Sequence, residues 1–530
     1  MNPFFGLPAQ SAPDQERVCW WTVQKKWPFW AFMQQPLEFS HIGLLGACCM
    51  NIDFLVVLFD NSWYNRTSSC EAGYMAPNIR FANRDQNFSL PPDVRESLPE
   101  GHYAWFIIDA IDSMNLKVFY RKARADGRGG AWYEPKMVAT LLVYAYSLGV
   151  RSSRKIEQMC EVDVAFRVIC GNLRPDHSSI ARFRQCHEKD FKDLFARVLE
   201  LCREAGLTKA GTIALDGTKM AGNASLAANR TEEAIRQEID QIVAEAQAVD
   251  AKEDEEFGKR RGDELPSSLQ SRKSRQQRLA ECLRQIEARK AAEEAKREEM
   301  LRRRKEQEAA GRSPRGRPPK EEAKAPEPKA NVTDPESRIM KNGKGYVQGY
   351  NAQAVANAHQ IIVAAEVTQD QNDYHQLHPM MEKAVSNLEE AGETVMPRSA
   401  LADAGYATEE ALSKPLPAGM EAYVSVRREG VTLGKSEPAP RGRIPQNSTA
   451  TERMGRKLRT KQGRAKYKLR SSLIEPVFGQ IKAGSMAFTR FSRRGVSACD
   501  SEWKLVCAVF NLRKLWKHKV SSGKGGQMIQ

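Results

Sequence analysis

Two aspartates that each close a short apolar run, and a glutamate followed seven residues later by a lysine, are the side chains best suited to chemistry in this chain. In Arg470 to Lys482, RSSLIEPVFGQIK, the residues Ile474, Val477, Phe478 and Ile481 recur as the apolar stripe of a helix. Glu475, Gly479 and Lys482 share the other side, which sets a carboxylate and an ammonium about two turns, or ~10 Å, apart. A carboxylate suits a metal ion and an ammonium suits a phosphate. Gly479 between them leaves room for a ligand backbone where an ordinary surface helix would carry Ala. Pro476 either starts the helix, with Glu475 at its cap, or kinks it, and both outcomes fix the carboxylate's direction. Taken alone, the pattern also fits an amphipathic helix with a solvated face.

Thr212 to Asp216, TIALD, reads as a short buried strand ending in an acid, followed by Gly217, Thr218 and Lys219. Open α/β sheets carry their chemistry at such strand ends, although an Asp that caps a turn has the same signature. Ser399 to Asp403, SALAD, repeats the logic. In QDQNDYHQLHPM, Asp370, Asp373, His375 and His378 lie close enough in sequence to bind a transition metal. Asp373 reads equally as the N-cap of a helix running to about Glu390.

These residues need a sheet and helices to hold them. Tyr346 to Ala356 and Gln360 to Thr368 read as a strand hairpin with a tight turn at Asn357 to His359. Ala422 to Val426 is a further strand, Arg427 to Arg464 a polar, strongly basic loop, and Trp503 to Trp516 an amphipathic closing helix ahead of a Lys-rich tail. Upstream, Pro91 to Asn115 reads as two helices, and Pro135 to Leu148, Ser153 to Cys160 and Val162 to Ile169 as three more. A break at Gly171 to Asp176 precedes HSSIARFRQCH, with Arg182 and Arg184 on a short helix, and a long helix to Ala205. That order fits a helix-turn-helix reader of DNA, and it fits an all-helical bundle with solvated arginines equally well.

After Asn229 the composition changes. Thr231 to Asp250 and the Gly- and Pro-free Ser267 to Ala310 read as an antiparallel helical hairpin, with Leu279, Leu283 and Ile286 as a short seam. Gly311 to Lys329 is a Pro-rich linker in which Arg315 and Arg317 flank a glycine, as in an AT-hook that enters a narrow minor groove; a basic soluble linker is the plainer reading. The chain's 530 residues include 81 Lys and Arg against 66 Asp and Glu, a net charge of +15, which points to a polyanion and first to nucleic acid. Its eleven cysteines form no C-x-x-C pair and no zinc spacing, which implies reduced thiols in a cytoplasmic protein rather than a disulfide framework; association with the nucleoid is the expectation that goes with a DNA partner.

Met1 to Tyr74 stands apart, with four basic and six acidic residues, five of the nine tryptophans and four of the cysteines. His41 to Phe59 is apolar, but Asn51 and Asp53 interrupt it, so no membrane partner is expected. The expectation for residues 1–74 is a non-native or disordered extension translated ahead of Met75.

Strand with Asp216, two strands, helix, strand with Asp403, helix, strand and helix with Glu475 is an order that resembles the DDE transposases of bacterial insertion sequences, closest to the insertion sequence 1182 group. IALDGTKMAGNAS from Ile213, NVTDPESRIM from Asn331, GYNAQAV from Gly349, VTQDQNDYHQLHPM from Val367, LADAGY from Leu401 and IEPVFGQIK from Ile474 carry the resemblance. It implies an α/β chain: a ribonuclease H-like catalytic domain over 206–228 and 331–517, an all-α N-terminal DNA-binding domain over 75–205, a helical insertion and linker over 229–330, and a basic tail over 518–530. It implies Asp216, Asp403 and Glu475 as catalytic residues and ligands of Mg²⁺ or Mn²⁺, with Tyr467, Arg470 and Lys482 on the last catalytic segment. Arg470 lies one residue further from Glu475 than in the pattern common to related transposases. Lys219, Arg182, Arg184, Arg315 and Arg317 join Lys482, Arg470 and Tyr467 as expected DNA contacts. The implied partner is double-stranded DNA with terminal inverted repeats, bound by a homodimer. A catalytically inactive DNA-binding relative or regulator of transposition is the alternative.

Overall fold

Runs of buried apolar residues in the middle of the chain assemble a six-stranded mixed sheet, and helices from both ends of the chain pack against it. The structure is a computed structural model that describes residues 79–84, 95–122, 132–209, 211–257, 267–309, 311, 327–343, 345–426 and 442–523. All of these fall in Tyr74–Gln530, one of the two units into which the chain divides. The proposed extension over residues 1–74 and the linker arginines Arg315 and Arg317 lie outside the described residues.

The sheet is built on β1 (Thr212–Ala221) and the long β3 (Gly345–Asn357), antiparallel from Ile213 opposite Asn357 to Ala221 opposite Gly349. On its other edge β3 pairs first with β2 (Arg338–Asn342) and then with β4 (Ile362–Thr368), both antiparallel. On the far side of β1, β5 (Ser399–Ala402) and β6 (Glu421–Val424) are added in parallel, giving the order β6-β5-β1-β3-β2, with β4 also on β3. The expected strands are all present. β1, however, runs five residues beyond Asp216 because β3 continues to supply hydrogen bonds on one side after β5 has ended on the other.

The helices before the sheet are α1 (Tyr103–Ser113), α2 (Pro135–Ser147), α3 (Ser153–Val162), α4 (Val164–Ile169), α5 (His177–Cys186) and α6 (Phe191–Glu204). Of the two helices expected in Pro91 to Asn115, the described residues contain α1, preceded by turns at 95–101. The hairpin expected after β1 is present as α7 (Glu232–Phe257) and α8 (Ser267–Ala309). Arg275 meets Glu238 at 2.7 Å and Lys290 meets Glu232 at 2.5 Å, which makes the pair antiparallel. Ile235, Leu279, Cys282 and Ile286 form its small separate core.

After β4 come α9 (Leu377–Glu390) and α10 (Glu409–Ser413). Part of the segment read as a basic loop is helical, as α11 (Ala450–Arg459), and α12 (Lys461–Leu473) begins before that segment ends. A capping box between Thr449 and Glu452, with Met454 and Leu458 on the buried side, explains α11. α13 (Glu475–Ala483) follows, then α14 (Val496–Ser521), which extends past both ends of the expected closing helix and into the segment read as a tail. α14 packs against α2, α6 and β4, so one continuous core runs from Leu98 to Leu515. Asn511 on α14 both donates to and accepts from the backbone of Ile362 at 2.8 Å, satisfying the edge of β4. No helix among the described residues is long and apolar enough to cross a membrane.

Trp503 anchors α14 to the sheet: it is fully buried, its ring stacks on Phe478 and Phe488, and its indole N–H donates to Gln353 O at 2.9 Å. Trp503→Ala is expected to cost about 3–5 kcal/mol, measured by chemical denaturation. A loss under about 1 kcal/mol would contradict this anchoring role.

Candidate active site

β1 and β5 run parallel, with Thr212 beside Ser399, Ile213 beside Ala400 and Ala214 beside Leu401. Continuing that register brings Asp216 level with Asp403. Asp216 is therefore not at the end of its own strand, as the sequence suggested, but at the point where β1 loses its parallel neighbour. Asp403 follows β5 directly and caps a single 3₁₀ turn, Ala404–Tyr406, its carboxylate accepting from Gly405 N at 2.9 Å.

Glu475 reaches these strands through a break between helices. Pro476 has no N–H to give to the carbonyl of Ser472, which accepts from Gln360 Nε2 at 3.0 Å instead. α12 accordingly stops at Leu473, and α13 starts at Glu475 with the proline in its first turn. Ile474, Val477, Phe478 and Ile481 are buried as expected, and Gly479 has open space where a side chain would project.

Arg470, one turn before the break, is 5% exposed. Its guanidinium donates to Asp216 Oδ2 at 3.3 Å and to Glu475 Oε1 at 3.2 Å, joining acids from two distant parts of the chain. Lys482 Nζ donates to Thr218 Oγ1, on the same face of β1 as Asp216. Burial holds the Lys482 pKa below the usual lysine range, against the opposing pull of Asp216. Tyr467 is partly buried on α12, one turn before Arg470.

Burial, and then the neighbouring Asp403 carboxylate, push Asp216 up to about 6, with Arg470 acting in the other direction. A hard divalent cation is the group that would reverse this repulsion, and the oxygen-only donors of Asp216 and Asp403 fit one. Glu475, half exposed, gives its Oε1 to Arg470 at 3.2 Å. Among the described residues no three His, Cys, Asp or Glu side chains already form a set able to hold a metal ion.

The other expected residues are dispersed. Lys219 pairs with Asp373 at 3.3 Å. Arg182 is exposed on α5, whereas Arg184 turns inward to Arg151 O at 2.9 Å, Tyr146 Oη at 3.3 Å and Ser153 Oγ. The Asp370 to His378 group does not converge: Asp370 accepts from Gln376 at 2.7 Å, and His378 Nε2 lies 2.8 Å from Ala411 O. Gln376, not Asp373, occupies the N-cap of α9. Asp373 instead lies beside the Asp216 and Asp403 pair, a position its sequence neighbours do not reveal.

Two segments of the chain match known protein families. Residues 92–186 match the family described as Transposase domain (DUF772), and residues 438–516 match the Transposase DDE domain. The second match contains Arg470, Glu475 and Lys482. No curated protein and no solved structure matches the chain.

The raised Asp216 pKa has a measurable consequence. Its folded value of about 6 exceeds the ordinary 3.8, so the folded chain retains a proton that the unfolded chain releases between those values. The associated stability is fully present below about pH 4 and is lost as the pH rises through 6, on the order of 2–3 kcal/mol. With divalent cations chelated, the wild-type melting temperature is expected to fall as the pH rises from about 4 through 6, and Asp216→Asn, which removes the titrating group, is expected to show a flatter profile over that range. A profile as steep in Asp216→Asn as in wild type would contradict the buried-carboxylate account.

Proposed function

We propose that this transposase, whose matched domains support the cutting and joining of DNA in transposition, works through Asp216, Asp403 and Glu475 in a ribonuclease H-like fold. The convergence around Arg470 carries the reading. Asp216 and Glu475 meet on one buried guanidinium, and Asp403 raises the pKa of Asp216 from the adjoining strand. The sheet supports the fold assignment, with its antiparallel strands followed by two parallel ones and acids at the junction.

DDE transposases generally use divalent metal ions, and Asp216 and Asp403 are the residues that would hold Mg²⁺ or Mn²⁺ here. The cation would activate a water or 3'-hydroxyl and neutralise the leaving oxygen. Arg470 holds the Asp216 and Glu475 carboxylates in register and offsets the repulsion between Asp216 and Asp403. Its release from Glu475 frees that acid for the site and the guanidinium for a phosphate. Lys482, beside Thr218 and one face-width from Glu475, is the second phosphate ligand. The DNA is the pair of terminal inverted repeats of an insertion sequence, of the 1182 group, cut by a homodimer. Residues 75–205 are its helical DNA-binding part, 206–228 and 331–517 its catalytic part, and 229–330 an insertion.

Nicking of terminal-repeat DNA in Mg²⁺ tests this reading. Asp216→Ala, Asp403→Ala and Glu475→Ala are each expected to lower cleavage by at least about a hundredfold while binding of the same DNA persists. Substantial cleavage by any one of them removes that residue from the triad. Lys482→Ala is expected to reduce the magnitude of the salt slope of binding by roughly one unit. An unaltered slope combined with a lost Mg²⁺ response would assign Lys482 to the metal site instead.

A further inference from the structure

Resting on the reading of Asp216 and Asp403 as catalytic, we infer that Asp373 is a positioning residue for that pair, acting from the other face of β1. Residues directly opposite in an antiparallel pair share a face, and neighbours along a strand alternate. Asp216 and Thr218 therefore lie with Ala354 and Ala352, whereas Gly217 and Lys219 lie with Gln353 and Asn351. The first group meets Arg470 and Lys482, and the second meets Asp373.

Asp373 Oδ1 accepts from Asn351 Nδ2 at 2.6 Å, from Gln353 Nε2 at 2.7 Å and from Lys219 Nζ at 3.3 Å. Three donors, one of them an ammonium, converge on one oxygen of the Asp373 side chain; an amide in its place would offer a weaker, uncharged oxygen to the lysine. The chain of bonds continues beyond Gln353, whose Oε1 accepts from Tyr406 Oη at 2.5 Å. Tyr406 is fully buried and closes the 3₁₀ turn capped by Asp403. Asp373 is thus joined to β1 through Lys219, to β3 through Asn351 and Gln353, and to the Asp403 turn through Gln353 and Tyr406.

The glycines near the two acids leave space for this arrangement. A Cβ on Gly217 would fall 2.3 Å from Gln353 Nε2 and 2.7 Å from Asp373 Oδ1, and one on Gly405 would fall 3.4 Å from Asp373 Oδ2. The Asp373 carboxylate therefore packs against the bare backbone beside both catalytic acids. Loss of its charge would loosen the spacing of Asp216 and Asp403 without removing a group that touches DNA.

Asp373→Asn preserves size and removes the charge. Steady-state nicking of terminal-repeat DNA should lose about ten- to a hundredfold in turnover, while the half-saturating DNA concentration and the melting temperature stay at wild-type values. Tyr406→Phe, at the far end of the same chain of bonds, should show a smaller loss of the same kind, and the double variant should lose less than the product of the two. Asp370→Asn, at the exposed neighbour whose carboxylate accepts from Gln376, should match wild type. Wild-type turnover by Asp373→Asn, a loss that tracks DNA affinity or the folded fraction, or strictly multiplicative effects would each overturn the inference. Should Asp373→Asn not accumulate as folded protein, Tyr406→Phe and Lys219→Met carry the same turnover test, and wild-type turnover by both overturns it. Asp216→Ala sets the floor. A wild-type protein that does not nick at all would refute the catalytic reading, whereas nicking by wild type and Asp373→Asn alike would refute this inference alone.

Discussion

A guanidinium buried between two carboxylates is the interaction on which the site's geometry depends. Arg470 could not be placed at 5% exposure without compensation, because an unpaired buried charge costs several kcal/mol. Asp216 and Glu475 provide that compensation, and in doing so they fix the end of α12 against β1 across 254 residues of sequence. Glu475 is half exposed, so its share of the pairing is weakened by solvent, and the Asp216 contact is the firmer of the two. The asymmetry leaves Arg470 held more by the sheet than by the first residue of α13.

The helices before the sheet are bound to the same frame by polar contacts as well as by the shared core. Glu502 on α14, almost fully buried, accepts from Tyr146 Oη at 2.9 Å and from Ser492 N at 2.8 Å, and Tyr146 in turn accepts from Arg184 at 3.3 Å. Arg493 returns the connection by donating to Arg184 O at 3.2 Å and to Glu188 at 2.8 Å. Each of these partly or fully buried groups is expensive to leave unpaired, so movement of α5 away from α14 would expose several at once. α5 is in this way held by the rest of the protein, which leaves Arg182, not Arg184, facing solvent.

Much of this arrangement was legible in the sequence, because period and punctuation are local signals. The apolar stripe of α13, the two-strand hairpin, the Gly- and Pro-free α8 and the break at Pro476 all follow from neighbouring residues. What was not legible depends on partners remote in the chain. β1 continues past Asp216 because β3 lies beside it, and Arg184 points inward because Arg151, Tyr146 and Ser153 wait there. Asp373 was visible only as one of several acids and histidines in a short stretch, and its partners Asn351, Gln353 and Lys219 come from two other strands. α11 is a different case: the Thr449 to Glu452 capping box is a local signal, obscured by the density of basic residues around it.

The same contacts change where the electrostatic attraction for DNA must come from. Arg470, Lys482 and Lys219 stand among Asp216, Glu475 and Asp373, so close to the sheet cations and carboxylates largely offset one another. A net charge of +15 is therefore expressed elsewhere on the surface, where long-range steering operates. On α12, Lys461, Arg464 and Lys468 are exposed at spacings of three and four residues, which puts them along one side of the helix that ends at Leu473, just before Glu475. That row leads to the α12–α13 break, where the partly exposed Glu475 and the Arg470 guanidinium meet. The exposed cations thus lie on the solvated side of α12, and Arg470, the cation that meets Asp216 and Glu475, lies on its buried side near the C-terminal end.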